Sequence, residues 1–373
     1  MKIAFVKQKY VPFGGGELYL ERLAGACRDR GDEVHLITAA WPGNRVSAFT
    51  VHPVPVRNWS HASVARSFSH NLKEIIRSVG FDVVFSLDRT EQQHIWRAGE
   101  GAHPVWLDRR GEFEPAWKVR LARLSSRQRT LLKLERRCVS RTPVIIANSQ
   151  MVKNDLENCY DLSGKRVEII HNGVDFSRFS PDGREEARTQ VRSRLQVNPA
   201  VPLLLFAGSG FRRKGLPELM RALRGVPDAV LLVIGRDKSA PWIRLAASLG
   251  VSGRVRFLAP SESLPELYRA ADVTVFPTWF DSFGFVGLES MACGTPLVTT
   301  PFAGVSELVR EGVNGAVIAR PDAADELAAA IQDQVSRKDR SRAIADSVRE
   351  YSLENNIRRT LAVIDDTAFS RKS

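Results

Sequence analysis

Cysteine is scarce and scattered: Cys27, Cys138, Cys159 and Cys293 are the only four in 373 residues. They form no CxxC pair and have no histidine-rich neighbourhood, which argues against a structural zinc site or a disulfide framework and fits a reducing cytoplasm. No apolar run approaches the ~18 residues of a membrane-spanning helix. Lys2 and the strand-like IAFV follow Met1 at once, so no signal peptide is expected. Repeats and low-complexity tracts are also missing. The glycine loop after the first strand lacks the GxGxxG spacing, which counts against a nicotinamide cofactor.

What is present is a globular mixture, 43% hydrophobic and 26% charged, in a chain too long for one ordinary core. Two domains are the expectation. The net charge of +12 points to an anionic partner: nucleic acid, a phosphorylated substrate or a membrane face.

Short apolar runs alternate with helix-like segments, the pattern of a parallel, doubly wound sheet. IAFV (3–6), EVHLIT (33–38), FTVHPVPV (49–56), DVVFSL (82–87) and PVIIANS (143–149) form one series. PLLLFAG (202–208), AVLLVIG (229–235), VRFLA (255–259), DVTVFPT (272–278) and PLVTT (296–300) form a second. Turn residues cluster between them, placing a hinge near His171 to Val174. An alanine- and charge-rich helical tail runs from Asp322 to about Ser370.

Ligands of such sheets bind outside the carboxyl ends of the strands, so the strand-to-helix loops carry the chemistry. After the first strand, Gly14, Gly15 and Gly16 open a helix; without side chains, backbone N–H groups can approach an anion there. The matching loop of the second half, FAGSGFRRKG, carries Arg212, Arg213 and Lys214, a cationic clamp for a diphosphate. Further on, FPTWFDSFGFVGLESMACGTP places Asp281 just ahead of a helix and Glu289 eight residues later. Treated as one helical face, the two acids stand ~12 Å apart at 1.5 Å per residue. That separation is too long for a retaining glycosidase pair and suits the two ends of an elongated ligand.

The D-x7-E stretch, with HNGVD at 171–175 and RKG at 213–215, resembles family 4 retaining glycosyltransferases, with Asp281 standing where glutamate is usual. The likeness runs over nearly the whole chain. KYVPFGGGELYLERLA, GSGFRRKG and VIGRDK bring it nearest to the members that act on the lipopolysaccharide core. It implies an α/β GT-B fold, two Rossmann-like doubly wound domains facing a central cleft. Residues 1–172 would form the acceptor-binding domain, with a helix from about 353 to 373 packing back on it. Residues 173–352 would bind the nucleotide sugar.

By the same resemblance, Glu289 accepts hydrogen bonds from both ribose hydroxyls and Asp281 meets the transferred sugar. The backbone N–H groups of Phe283 and Gly284 add contacts there. Lys214 and Arg213 neutralise the leaving diphosphate, Gly15 and Gly16 close over the phosphates and sugar, and Gly235 and Arg236 border the base. Ser209 stands where the family has an arginine, which leaves Arg212 or Arg213 to replace it. No metal and no cofactor is implied beyond the nucleotide sugar. Facing the reacting carbon from the acceptor side are two candidates in HIWRAGEGAHPVW, Glu100 and His103.

The excess charge has a location. Trp117 to Arg141 holds nine Lys or Arg and one acid, Glu135, with leucines at roughly helical spacing. This reads as a basic amphipathic helix that rests on an anionic membrane or on acceptor phosphates. The expectation is a cytoplasmic, membrane-peripheral transferase moving a hexose from a UDP-sugar to an envelope glycolipid such as the lipopolysaccharide core. Alternatives are an exopolysaccharide or small-molecule acceptor, a sugar-nucleotide epimerase on the same fold, and a nucleic-acid-binding protein, which explains the charge but not the two acids.

Overall fold

The apolar runs become strands of two separate, all-parallel sheets. The computed structural model describes residues 1–9, 15–40, 49–260, 263–338 and 340–371. The first sheet holds β1 (Lys2–Val6), β2 (Glu33–Thr38), β3 (Thr50–Pro53), β4 (Val83–Ser86), β5 (Ile95–Ala98), β6 (Val144–Ala147) and β7 (Arg166–Ile169), in the order β3-β2-β1-β4-β5-β6-β7. The second holds β8 (Leu203–Ala207), β9 (Val230–Ile234), β10 (Val255–Leu258), β11 (Val273–Phe276), β12 (Leu297–Thr299) and β13 (Gly315–Val317), in the order β10-β9-β8-β11-β12-β13. The strand order therefore reverses at β1/β4 and at β8/β11, the positions where loops diverge and leave room for a ligand.

Helices link the strands: α1 (Gly15–Asp29), α2 (His61–Val79), α3 (His103–Phe113), α4 (Ala116–Leu124), α5 (Ser126–Arg141) and α6 (Gln150–Cys159) in the first half. α7 (Arg184–Arg194), α8 (Leu216–Ala222), α9 (Ala240–Ser248), α10 (Leu264–Ala270), α11 (Phe285–Ala292), α12 (Ala324–Ser336), α13 (Ser341–Asp346) and α14 (Leu353–Ser370) follow. Residues 1–171 with the segment from Glu354 form one compact unit, and Asn172–Leu353 the other.

Both faces of each sheet are covered, which is why the central strands read as unbroken apolar runs. Ile3 and Phe5 pack on α1 and on Val363, Ile364 and Ala368 of α14, while Ala4 and Val6 face Phe68 and Leu72 of α2. In the second unit Leu203 and Leu205 join the core with α10 and α11, and Leu204 and Phe206 the core with α8 and α12. Each such Val, Leu, Ile or Phe side chain contributes roughly 1.5–3 kcal/mol on burial. The HNGVD segment is tied to the end of the second unit: Val174 N–H donates to Tyr351 O at 3.0 Å and Leu353 N–H to Val174 O at 2.9 Å.

Three strands escape the sequence pattern. β5 lies inside the segment read as an acceptor loop, β7 carries charged residues in RVEI at a sheet edge, and β13 is three residues long. The basic stretch is two helices rather than one. Ser125 ends α4 and caps α5, its hydroxyl accepting from Gln128 N–H at 3.3 Å. Finally, α11 begins at Phe285, and Asp281 lies in the loop ahead of it, as the sequence leads one to expect. The two acids do not share a helical face, and the separation derived from helical rise does not apply.

Candidate functional site

In the second unit, the β8–α8 and β11–α11 loops leave adjacent strands and are tied together. Arg213 O accepts from Trp279 N–H at 2.9 Å, and the Arg213 guanidinium donates to Phe280 O at 2.6 Å. This brings the cations onto Asp281: Lys214 Nζ lies 2.7 Å and Arg213 Nη1 3.2 Å from its Oδ2. The turn needs glycine at 215, where φ is +80° and a Cβ would stand 1.9 Å from Pro277 O. Gly284 is similarly constrained, with φ +91° and a Cβ 2.9 Å from the Phe276 ring.

Burial alone would raise the Asp281 pKa, but Lys214 and Arg213 hold it down to about 2. Burial lowers that of Lys214, opposed by Asp281. A buried cation with one carboxylate partner stays charged and keeps a further anion within reach of its field. The Phe283 N–H, expected at the sugar, donates to Asp281 Oδ1 at 3.2 Å here. Of the two arginines considered as replacements at Ser209, Arg213 is the one beside Lys214. Arg212 lies over the Trp242 ring, 5.8 Å from its centroid.

At the end of β9, Gly235 and Arg236 line a pocket of about 390 Å3 with Phe211, Asp237, Phe257 and the Leu258–Pro260 segment. Asp237 fixes its floor by accepting from Gly210 and Phe211 N–H at 2.7 and 3.1 Å. Ser209 accepts from Arg236 N–H at 3.1 Å. The serine that departs from the family pattern thus links the clamp loop to the pocket.

Glu289 stands on α11, where burial pushes its carboxyl up to about 7, partly offset by Tyr268 and Arg178. The Tyr268 hydroxyl donates to its Oε2 at 2.9 Å. No motif in the sequence marks Tyr268. Its position, one helix before β11 and 21 residues from Glu289, is not a local signal.

In the first unit, Gly14 lies outside the described residues, whereas Gly15 and Gly16 begin α1. Glu100 and His103 fall in the β5–α3 loop and at the first residue of α3. One arginine and one buried acid hold that loop. Arg89 donates to Glu100, to Gly101 O at 3.2 Å and to Glu135. Glu135, fully buried, also accepts from His103 N–H and from the Tyr160 hydroxyl, both at 2.7 Å. His103 Nε2 lies 2.6 Å from Gln128 Oε1, and burial lowers the ring's pKa. Arg89 lowers that of Glu100, whose side chain is 69% exposed. The sequence signal for Glu135 was its being the one acid among nine cations.

Among the described residues no group of three or more His, Cys, Asp or Glu is placed to hold a metal ion, and no helix is long and apolar enough to cross a membrane.

Residues 187–351 match the family described as "Glycosyl transferases group 1", and residues 13–178 that described as "Glycosyltransferase Family 4". The lipopolysaccharide glucosyltransferase WaaG of Escherichia coli (strain K12) is 28% identical over 372 residues, 94% of each chain. A D-inositol 3-phosphate glycosyltransferase of Salinispora tropica is 32% identical over 275 residues, 66% of this chain but 55% of that protein. The crystal structure of WaaG, a glycosyltransferase involved in lipopolysaccharide biosynthesis, matches with a TM-score of 0.80 at 25% identity, over 97% of this chain and 99% of that one. HepE of Anabaena, solved in complex with UDP and glucose, shares the fold with a TM-score of 0.72 at 19% identity, over 98% and 99%. Each parallel-sheet unit has its own transferase match, and the likeness to WaaG spans both. The chain is therefore a glycosyltransferase of the GT-B type, similar to WaaG along its length and matched in each half by a glycosyltransferase family model.

Proposed function

We propose that the protein transfers a hexose, with retention of anomeric configuration and without a metal ion, from a UDP-sugar to an envelope glycolipid such as the lipopolysaccharide core. The observation that carries this reading is the convergence of Lys214, Arg213 and Asp281 at the carboxyl ends of β8 and β11. Two cations around one acid make a site for a diphosphate joined to a sugar: Lys214 and Arg213 take the leaving phosphates and Asp281 takes sugar hydroxyls. Glu289 accepts from the ribose, and the Gly235–Arg236 pocket holds the base. The Phe283 and Gly284 amides complete the donor contacts of the second unit. The relatives support the class of reaction, one being a lipopolysaccharide glucosyltransferase by description, and HepE supports the donor, having been solved with UDP.

The departing phosphate takes the proton of the acceptor hydroxyl on the same face of the sugar. Glu100 or His103 then orients that hydroxyl, or stabilises positive charge developing at the anomeric carbon. The first unit binds the acceptor, and the enzyme works at the inner, cytoplasmic face of the membrane. On α4, Trp117, Leu121 and Leu124 are 61%, 60% and 68% exposed, so they do not serve the core. With Arg120, Arg123, Arg127 and Lys133 they form a basic, apolar-tipped surface suited to an anionic leaflet.

Thermal denaturation with UDP, GDP and ADP in the presence of a chelator tests the donor assignment, because a ligand of the native state alone must stabilise it. UDP raising Tm without divalent metal is the expected result. No shift with any nucleotide at millimolar concentration overturns it.

A further inference from the structure

Tyr268 is wholly buried on α10, and its ring packs on Phe179 with centroids 6.2 Å apart. Its own backbone is anchored too: the carbonyl accepts from Thr295 Oγ1 at 2.5 Å. The ring therefore has one orientation, and its hydroxyl reaches Glu289 Oε2 at 2.9 Å. Among the described residues, no hydrogen-bond donor reaches the other carboxylate oxygen, Oε1. Arg178, from the segment before α7, and Cys293, four residues on at the C-cap of α11, are the other titratable groups facing this carboxylate. Burial pushes the Cys293 thiol up to about 12, so it is neutral there.

We propose that Tyr268 is a positioning residue for the donor: its hydroxyl occupies Oε2 of Glu289, fixes the carboxylate, and presents Oε1 to the ribose hydroxyls. The inference rests on the reading of Glu289 as the ribose acceptor. Its physical basis is that a carboxylate in an apolar setting is held charged mainly by the hydrogen bonds it accepts, and an anion accepts from a hydroxyl more strongly than a neutral acid does. Glu289 sits at about 7 even with the tyrosine donating. Without that bond it protonates at higher pH and turns its acceptor oxygen into a competing donor.

A structural role for Tyr268 makes a different forecast. A buried phenol needs an acceptor, but phenylalanine fills the same volume and leaves no orphan group. Tyr268→Phe would then fold and bind as the native protein does.

The test measures binding of UDP and of inorganic pyrophosphate from pH 5.5 to 9 for the native protein, Tyr268→Phe, Glu289→Gln and the double variant. UDP affinity of Tyr268→Phe is expected to fall about fivefold at pH 7. The midpoint of its pH dependence should move upward by about one unit, and the loss should shrink toward pH 9. Pyrophosphate, which lacks the ribose, should bind all the single variants alike, and adding Tyr268→Phe to Glu289→Gln should cost nothing further. If Glu289→Gln weakens UDP while Tyr268→Phe follows the native curve, the positioning role is wrong and the ribose reading stands. If Glu289→Gln binds UDP as the native protein does, the ribose reading fails and the inference with it. Equal losses for UDP and pyrophosphate in Tyr268→Phe mean a general distortion and overturn the proposal.

Discussion

Lys214 Nζ lies 2.7 Å from Asp281 Oδ2, and both side chains are mostly buried. The more buried cation of the proposed diphosphate clamp is thus paired with the acid proposed to hold the sugar. A nucleoside diphosphate sugar arriving there meets both halves of a formed ion pair, its phosphates competing for Lys214 and its hydroxyls for Asp281. Asp281→Asn removes the competitor but also the stronger sugar acceptor. UDP should then bind at least as tightly as to the native protein by calorimetry, while the transfer rate falls tenfold or more. Weaker UDP binding with an undiminished rate would separate Asp281 from the sugar.

The same pair has a stability consequence whose sign follows from the pKa. Asp281 is held at about 2 against an ordinary 3.8, so the unfolded state binds its proton first as pH falls. The contribution is present above about pH 4 and is lost as pH drops toward 2, an effect on the order of 2 kcal/mol. Acid unfolding of Asp281→Asn should show a shallower decline between pH 4 and 2 than the native protein. Identical acid limbs would mean the pair adds nothing to the fold.

Glu289 works in the opposite sense. Its carboxyl is raised from an ordinary 4.5 to about 7, so ionising it opposes folding. The penalty is absent below about pH 4.5, grows as pH rises through 7, and levels off on the order of 3 kcal/mol. Glu289→Gln keeps an acceptor for the Tyr268 hydroxyl and sheds the charge. The apo variant should melt higher than the native protein at pH 8 and at the same temperature near pH 4, while binding UDP more weakly. A residue whose removal stabilises the fold and disables binding is one retained for function.

On the acceptor side, whichever of Glu100 and His103 faces the reacting carbon should, as alanine, lower kcat far more than donor affinity. Glu135→Gln offers a second handle on the same loop, because it leaves Arg89 and the first amide of α3 with a neutral acceptor. Breaking a buried ion pair on one side costs about 3–5 kcal/mol, so a lower Tm is expected along with reduced kcat and unchanged UDP binding. Wild-type turnover in both alanine variants would remove this loop from the acceptor site.

The elements legible in the sequence were those whose burial leaves a one-dimensional trace. β8 and β9 are covered on both faces and spell continuous apolar runs, as do the residues of β1 after Lys2. β7 alternates charge at a sheet edge, and β5 carries a tryptophan and an arginine in four residues. Motif residues were readable because glycine and paired charges stand out at loop positions, as Gly215 and Lys214 do. Partners chosen by the tertiary fold were not readable. Arg89 meets Glu135 across 46 residues and Tyr268 meets Glu289 across 21, and neither spacing has a helical or strand period. The α4–α5 break could have been read from the Ser125–Ser126 pair, since serine is a preferred helix cap.

That break matters for the membrane prediction, because it divides the cationic stretch into two helices with different tasks. α5 turns Leu134, Cys138 and Val139 into the fold, whereas α4 buries Val119 and leaves Trp117, Leu121 and Leu124 outside. Each Lys or Arg near an anionic leaflet contributes up to ~1 kcal/mol, and the attraction decays over a Debye length of ~8 Å at physiological salt. The three exposed apolar side chains add a term that salt does not screen. Charge reversal of Arg120, Arg123, Arg127 and Lys133 should therefore abolish sedimentation with phosphatidylglycerol vesicles at low salt. Replacing Trp117, Leu121 and Leu124 by serine should instead remove only the binding that survives high salt. Both variants should bind UDP normally, since Lys214, Arg213 and Glu289 belong to the other compact unit. If vesicle binding persists after charge reversal while transfer to a phosphorylated acceptor falls, the cations serve the substrate rather than the membrane. If neither changes, α4 presents a solvated surface and the proposed membrane face is wrong.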